Sequence, residues 1–218
     1  MKILLIDDHP IIVEAYISIL KANVFSSQDN SYDHGNTCEA AYKAIVQNYK
    51  TGNVYDIIFL DYNLPSFKEM NIDSGVDLIS HIRKLMPNCK IIMFTAHTEI
   101  VVIYTIFKKH NPDGLAIKSD LTPAKLKTIV ESVLAGHQFL SETVKACVSA
   151  IWKKDVMVEE YNRQILHYIS KGVKIKEIEN YVGLSTSAIQ KRTILMKKAF
   201  EVADDSSLVS QAILLGFI

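Results

Sequence analysis

Five polar side chains stand where short apolar runs stop. Asp7 and Asp8 follow Ile3-Leu4-Leu5-Ile6, and Asp61 follows Ile57-Ile58-Phe59-Leu60. Thr95 follows Ile91-Ile92-Met93-Phe94, and Lys118 follows Leu115-Ala116-Ile117. Three carboxylates, a hydroxyl and an ammonium in one pocket have the chemistry of a metal-assisted phosphoryl acceptor. A hard cation such as Mg2+ takes oxygen ligands. Asp7, Asp8 and Asp61 would supply carboxylates, and the main-chain carbonyl of Asn63 a further oxygen. The cation lets an anionic carboxylate meet an anionic donor by neutralising charge on the transferring oxygens. Asp61 is then the nucleophile and forms an aspartyl phosphate. Lys118 would hold a phosphoryl oxygen as a point charge, and the Thr95 hydroxyl would bond another. A single aspartate at a strand end also serves as a helix cap or a loop residue. The set of five, each at the end of its run, favours the site.

The runs that carry these groups must be brought to one edge. Bounded apolar stretches, each followed by a helix-like segment, read as buried strands of a parallel sheet. The carboxyl ends of such strands open on the same side, where ligands bind. Pro10 to about Ala22 is expected as a first helix, with Ile12, Ala15, Tyr16 and Ile19 at helical spacing. Ser26 to Asn36 is polar and contains a weak strand, and Thr37 to about Tyr49 is a second helix. A long connection from Pro65 to Gly75 precedes a helix ending near Met86-Pro87. Thr98 to about Lys109 is a fourth helix. Thr122-Pro123 opens a fifth that Gly136 ends.

The words of this first part are familiar. Asp7-Asp8-His9-Pro10, Asp61-Tyr62-Asn63-Leu64-Pro65, Thr95-Ala96 and Asp113-Gly114-Leu115-Ala116-Ile117-Lys118-Ser119 resemble the receiver domain of bacterial two-component response regulators, over about residues 1–140. The resemblance implies a flavodoxin-like α/β domain with a five-stranded parallel sheet. It implies Asp61 as the phosphoacceptor, served by a sensor histidine kinase, with Thr95, Ala96 and Lys118 as phosphoryl-binding and switch residues. Leu115 stands where the family commonly has an aromatic. That departure argues against an aromatic rotamer switch and leaves Thr95 and the His97 loop to carry the signal.

Composition sets limits. A chain of 218 residues with 49% apolar content suits one large or two small domains with real cores. No stretch approaches the ~18 apolar residues of a membrane span, and the opening strand is too short for a signal peptide. Cys38, Cys89 and Cys147 form an odd, scattered set, so a reduced cytoplasmic setting without disulfides is expected. The seven histidines show no metal-ligand spacing, and His9 reads as a loop or helix-start residue.

Net charge is zero, so bulk electrostatics attract no nucleic acid. The stretch from Leu184 to Phe200 nevertheless holds Lys191, Arg192, Lys197 and Lys198 and no acid. That is a candidate phosphate-contacting face, although a solvated helix face has the same composition. The last sixty residues read as four short helices: Glu159 to Ser170 closed by Lys171-Gly172, Ile175 to Tyr181, Thr186 to Phe200 with Ser185 as N-cap, and Ser206 to about Leu215. Helix, tight turn at Gly183-Leu184-Ser185, then basic helix is a helix-turn-helix pattern, whose second helix enters the major groove. A plain helical bundle for protein contacts is the competing reading. Ser141 to Asp155 is expected as a helical linker, apolar through Val144, Val148 and Ile151, with Trp152 packed on a domain surface.

Gln164-Ile165-Leu166, Lys171-Gly172, Lys176-Glu177-Ile178, Val182-Gly183-Leu184-Ser185 and the closing Ile213-Leu214-Leu215-Gly216-Phe217-Ile218 resemble a LuxR-type output domain. The two parts together resemble the NarL/FixJ family, laid out as receiver 1–140, linker 141–156 and helix-turn-helix 157–218. That resemblance implies a transcription factor, a homodimer when active, on double-stranded DNA with repeated half-sites. Carried over by position, Gln190, Lys191 and Ile194 face the groove, while Arg192, Lys197 and Lys198 suit phosphates. Ile189, Met196 and Phe200 form the core side. The helix departs from the family at Ser187-Ala188-Ile189, so no target sequence follows.

The same residues also bear on an enzyme reading. Haloacid-dehalogenase-type phosphatases also use a strand-end aspartate near Mg2+, but need a second aspartate two residues on as general acid. That place is Asn63, which cannot exchange a proton. The chain therefore reads as a switch and not as a turnover enzyme. The alternative is a phospho-regulated protein-interaction module whose helical tail binds no DNA.

Overall fold

The computed structural model describes residues 1–25, 30–152 and 155–218. The expected packing of Trp152 and the Ile151 side of the linker lie outside the described side chains, as does the start of the polar stretch at Ser26.

The apolar runs are strands. The sheet comprises β1 (Lys2–Ile6), the polar β2 (Ser31–Gly35), β3 (Ile57–Asp61), β4 (Lys90–Thr95), β5 (Gly114–Ile117) and the short β6 (Phe139–Leu140). All pair in parallel, in the order β2-β1-β3-β4-β5-β6. The expected sheet of five gains a sixth strand at its edge. β6 is two residues long, with Phe139 opposite Gly114 and Leu140 opposite Leu115. Two residues are too few to display an alternation, so no pattern marks it.

Helices α1 (Pro10–Asn23), α2 (Cys38–Lys50), α3 (Gly75–Leu85) and α5 (Pro123–Leu134) connect the strands. Thr37 and Thr122 cap α2 and α5 by accepting from the Ala40 and Lys125 amides. Ser74 and Asp77 form a capping box at the start of α3. Alternate strand residues Ile3, Leu5, Ile57, Phe59, Ile92, Phe94 and Ala116 build one core with Val13 and Leu20 of α1 and Leu126, Ile129, Val130 and Val133 of α5. Burial on this scale, roughly 1.5–3 kcal/mol for each large side chain, holds the strand ends in register.

The fourth helix is shorter than expected. α4 spans Ile100–Thr105, and Ile106–His110 continue as one wider π turn before Asn111 takes a left-handed φ of 42° and Pro112 follows. The linker region holds α6 (Glu142–Trp152). The C-terminal helices are α7 (Glu160–Ser170), α8 (Ile175–Val182), α9 (Thr186–Phe200) and α10 (Asp205–Leu214).

The chain divides into two compact units. One comprises Met1–His97 with Ile106–Lys145, and the other Thr98–Thr105 with Ala146–Ile218. Thr98–Thr105 thus groups with the C-terminal helices. Tyr104 is buried in the same cluster as Met157, Ile165, Leu166, Ile178, Ile189, Met196 and Phe200, with Ile100 and Val101 against it. Its hydroxyl donates to Asp155, and burial first, then that carboxylate, push its pKa up to about 12.

Candidate phosphoacceptor site and exposed basic helix

The parallel register delivers the expected groups to one edge. β1 pairs β3 up to Ile6 and Leu60, so Asp7 and Asp61 each stand one residue beyond. Asp61 pairs Phe94 across β3 and β4, and Thr95 pairs Ile117 across β4 and β5, one residue before Lys118. The Lys118 ammonium lies 2.8 Å from Asp7 Oδ2 and 3.0 Å from Asp61 Oδ1. It donates a hydrogen bond to Asp7, whereas Asp61 Oδ1 meets it as a charge off the hydrogen-bonding direction. Asp7 and Asp61 are buried, at 4% and 2% exposure, while Asp8 is exposed.

Burial raises the pKa of Asp61, and the negative charge of Asp7 and Asp8 adds to that, against the opposing pull of Lys118. Burial works to lower Lys118, but the two carboxylates beside it outweigh that and raise it. The pocket is a crowded acid set held by one cation.

Among the described residues, the metal-capable atoms lying within 4.8 Å of one another belong to Asp7, Asp8 and His9. Asp61 joins them through Lys118. His9 is the N-cap residue of α1, as the helix-start reading expects, and makes no side-chain cap bond. Its ring nitrogen Nδ1 lies 2.7 Å from Asp8 Oδ1 and 3.3 Å from Asp7 Oδ1, and its amide donates to Asp7.

Thr95 is fully buried, and its hydroxyl accepts the His97 amide at 3.0 Å. Ala96 lies between them. The His97 ring packs edge-on against Tyr62, with centroids 4.8 Å apart, and its Nε2 lies 3.2 Å from the side-chain oxygen of Asn63. The loop after β4 is therefore fastened to the loop after β3. The Asn63 side chain faces His97.

Two contributors were not legible in the sequence. Gly75 opens α3 beside Asp61, and a Cβ there would stand 1.8 Å from the Asp61 carbonyl oxygen. No other residue type lets α3 come so near the acceptor backbone. Asp113 binds the base of the same sheet: it accepts the Ile91 amide at 2.9 Å and pairs with Arg83 at 2.7 Å and Lys90 at 3.4 Å. Burial opposes its charge, yet those three partners prevail and hold its pKa below the ordinary carboxylate value.

In the C-terminal unit, α8 ends on Gly183 in the left-handed region, φ 64°, and Ser185 caps α9 through the Ala188 amide. Glu179 of α8 accepts the Thr186 amide at 3.1 Å and its hydroxyl, which pins the angle between the two helices. Ile189, Thr193, Met196 and Phe200 face the core. Gln190, Lys191, Ile194 and Lys198 are exposed. Arg192 is committed elsewhere: it pairs with Glu159, donates to Asn162 at 3.0 Å and lies over the Tyr161 ring. Lys197 pairs with Asp205 at 2.7 Å.

The model of the response regulator receiver domain matches residues 3–131. The chain belongs to the response regulator receiver family. This response regulator is also similar along its whole length to the transcriptional regulatory protein MctR of Rhizobium johnstonii, at 21% identity over all of this chain and 95% of MctR. It is 27% identical to the transcriptional regulatory protein ComA of Bacillus subtilis, over 87% of this chain and 86% of ComA. RcsB of Salmonella enterica serovar Typhimurium, solved bound to the promoter rprA with a beryllofluoride phosphomimetic, shares its fold, with a TM-score of 0.64 at 18% identity over all of both chains. These matches support the membership of the NarL/FixJ family expected from the motifs. No described helix is long and apolar enough to cross a membrane.

Proposed function

We propose that this response regulator is a phosphorylation-gated, DNA-binding transcriptional regulator that accepts a phosphoryl group on Asp61 from a sensor histidine kinase. The observation that carries the reading is the Asp7–Lys118–Asp61 arrangement at the carboxyl edge of a parallel sheet. The DNA output is supported by the acid-free α9 and by relatives named as transcriptional regulators.

The donors suit Mg2+. Asp61 Oδ1 is buried without a hydrogen bond, and Asp7, Asp8 and the Asn63 carbonyl would supply the remaining hard oxygens. When bound, Mg2+ neutralises charge on the transferring phosphoryl oxygens. A carboxylate oxygen of Asp61 attacks phosphorus as the phosphorus–nitrogen bond to the kinase histidine breaks. The Lys118 ammonium, already between Asp7 and Asp61, holds a phosphoryl oxygen. The Thr95 hydroxyl turns its proton toward another, which alters its bond with the His97 amide. His97 is joined directly to Thr98, where the C-terminal unit begins. A change at Thr95 therefore reaches α4, which carries Tyr104, through the four residues Ala96 to Glu99, biasing a two-state element. Asn63 supplies no acid or base, so hydrolysis of the phosphoaspartate is slow. Two chains then place their α9 helices in successive major grooves about one helical turn apart.

The test is selection of genomic DNA fragments by the purified chain with and without Mg2+ and beryllofluoride. Enrichment that rises with the mimic, and is lost in Asp61→Asn, is expected. Protein that takes the mimic at Asp61 but retains no DNA in either state would refute the output.

A further inference from the structure

The exposed residues of α9 form one stripe: Ser187, Gln190, Lys191, Ile194, Leu195 and Lys198, spaced three or four apart. Two of them are large aliphatics held in water, Ile194 at 66% and Leu195 at 50% exposure. Neither is needed by the core, which takes Ile189, Thr193, Met196 and Phe200 from the opposite face. Uncovered isoleucine and leucine side by side on a helix gain from burial against a partner.

Charge identifies that partner. Lys191 and Lys198 bracket the pair on the same stripe, and no acid occurs from Leu184 to Phe200. An apolar partner protein would leave two ammonium groups to desolvate; a nucleic-acid duplex meets them with phosphates. Inside a major groove, the apolar feature that distinguishes one base from another is the C5-methyl group of thymine.

We propose that Ile194 and Leu195 read thymine methyl groups, so that each half-site carries thymine where the middle of α9 crosses the groove. Gln190 adds the only amide side chain on the stripe and suits an adjacent adenine edge. The inference rests on the DNA-binding reading and gives it a chemical preference. Base reading along this helix is thus divided: an amide and aliphatics choose the bases, while Lys191 and Lys198 hold the strand.

The experiment uses the full chain with Mg2+ and beryllofluoride, and random-sequence duplexes enriched on it. Enriched duplexes are remade with deoxyuridine replacing thymidine one position at a time, which removes the methyl and keeps every hydrogen-bonding group. Binding should weaken roughly three- to fivefold at one or two positions per half-site, as expected for an apolar methyl contact. Ile194→Ala or Leu195→Ala should bind thymidine and deoxyuridine duplexes equally at the matching position. Both variants alter exposed positions, and an unchanged melting temperature shows that the fold is kept. Sequence-selective binding that is indifferent to deoxyuridine throughout would overturn the methyl reading and leave DNA binding standing. Failure to enrich any duplex would overturn both. Loss of self-association in Ile194→Ala, with uracil sensitivity unchanged, would assign the pair to a second copy of the chain and overturn the proposal.

Discussion

Gly75 lies so close to Asp61 that its missing side chain is part of the acceptor site: a Cβ would sit 1.8 Å from the Asp61 carbonyl oxygen. The obstacle is backbone, not the end of a flexible side chain, so either α3 or the end of β3 must move. Gly75→Ala is expected to cost about 1–3 kcal/mol, the range of overpacked cores, and to slow phosphorylation of Asp61. Urea midpoints and phosphoryl uptake from a small-molecule donor measure the two effects. Unchanged uptake in a destabilised variant would show that strain relaxes into α3 alone.

Asp113 ties β4 to Arg83 and Lys90 and carries a depressed pKa. A carboxylate whose folded pKa is lowered contributes stability that is full above its unfolded value, about 3.9. That contribution fades as pH falls through the lower folded value. Asp113→Asn should therefore cost about 2 kcal/mol at neutral pH, as for a hydrogen-bonded charged group. The difference from the parent should shrink below about pH 4. Denaturant unfolding at pH 7 and pH 3 tests this; a gap independent of pH would place the effect in packing rather than charge.

Tyr104 is buried, and its hydroxyl donates to Asp155. Tyr104→Phe keeps the ring in the C-terminal cluster and removes the hydroxyl that bonds Asp155. About 1 kcal/mol of stability is expected to go. If the bond belongs to the switch, the variant's DNA binding should also depend less on beryllofluoride. Stability lost with full gating retained would leave the bond a structural tie only.

Three of the basic residues of α9 should separate into two behaviours. Lys191→Ala and Lys198→Ala remove exposed charges, and each should flatten the slope of log K against log salt by roughly 0.9 with no change in melting. Arg192→Ala breaks the links to Glu159, Asn162 and the Tyr161 ring. It should lose about 1 kcal/mol, with the exposed ion pair adding little, and leave the salt slope nearly intact. A slope that falls as far in Arg192→Ala as in Lys191→Ala would return Arg192 to the phosphates.

The pattern of what sequence could reveal follows from range. α9 is legible because its signals are local: Ser185 as cap and a 3.6-residue core period. The acid and lysine positions were readable because each ends an apolar run that only a buried strand explains. Gly75 was not, since its role depends on a carbonyl fourteen positions earlier that folding brings against it. Arg192 looked free because Glu159 and Asn162 are about thirty positions away. The unequal burial of Asp7 and Asp8 was likewise hidden: adjacent residues leaving a strand point to opposite sides, and no pattern states which side is closed. α4 was seen as a receiver helix by its place between β4 and β5, yet its apolar residues pack with the C-terminal unit.

That last placement bears on how such a chain can be cut and recombined. A fragment starting after the linker would contain α7 to α10 but lack Tyr104, Ile100 and Val101, leaving Met157 and its neighbours short of part of their cover. A chimaera that joins another receiver to these helices would import a foreign α4 into the same gap. A helix that lies in sequence between two strands of the receiver thus completes the core of the C-terminal helices, a membership that a boundary drawn along the sequence does not display.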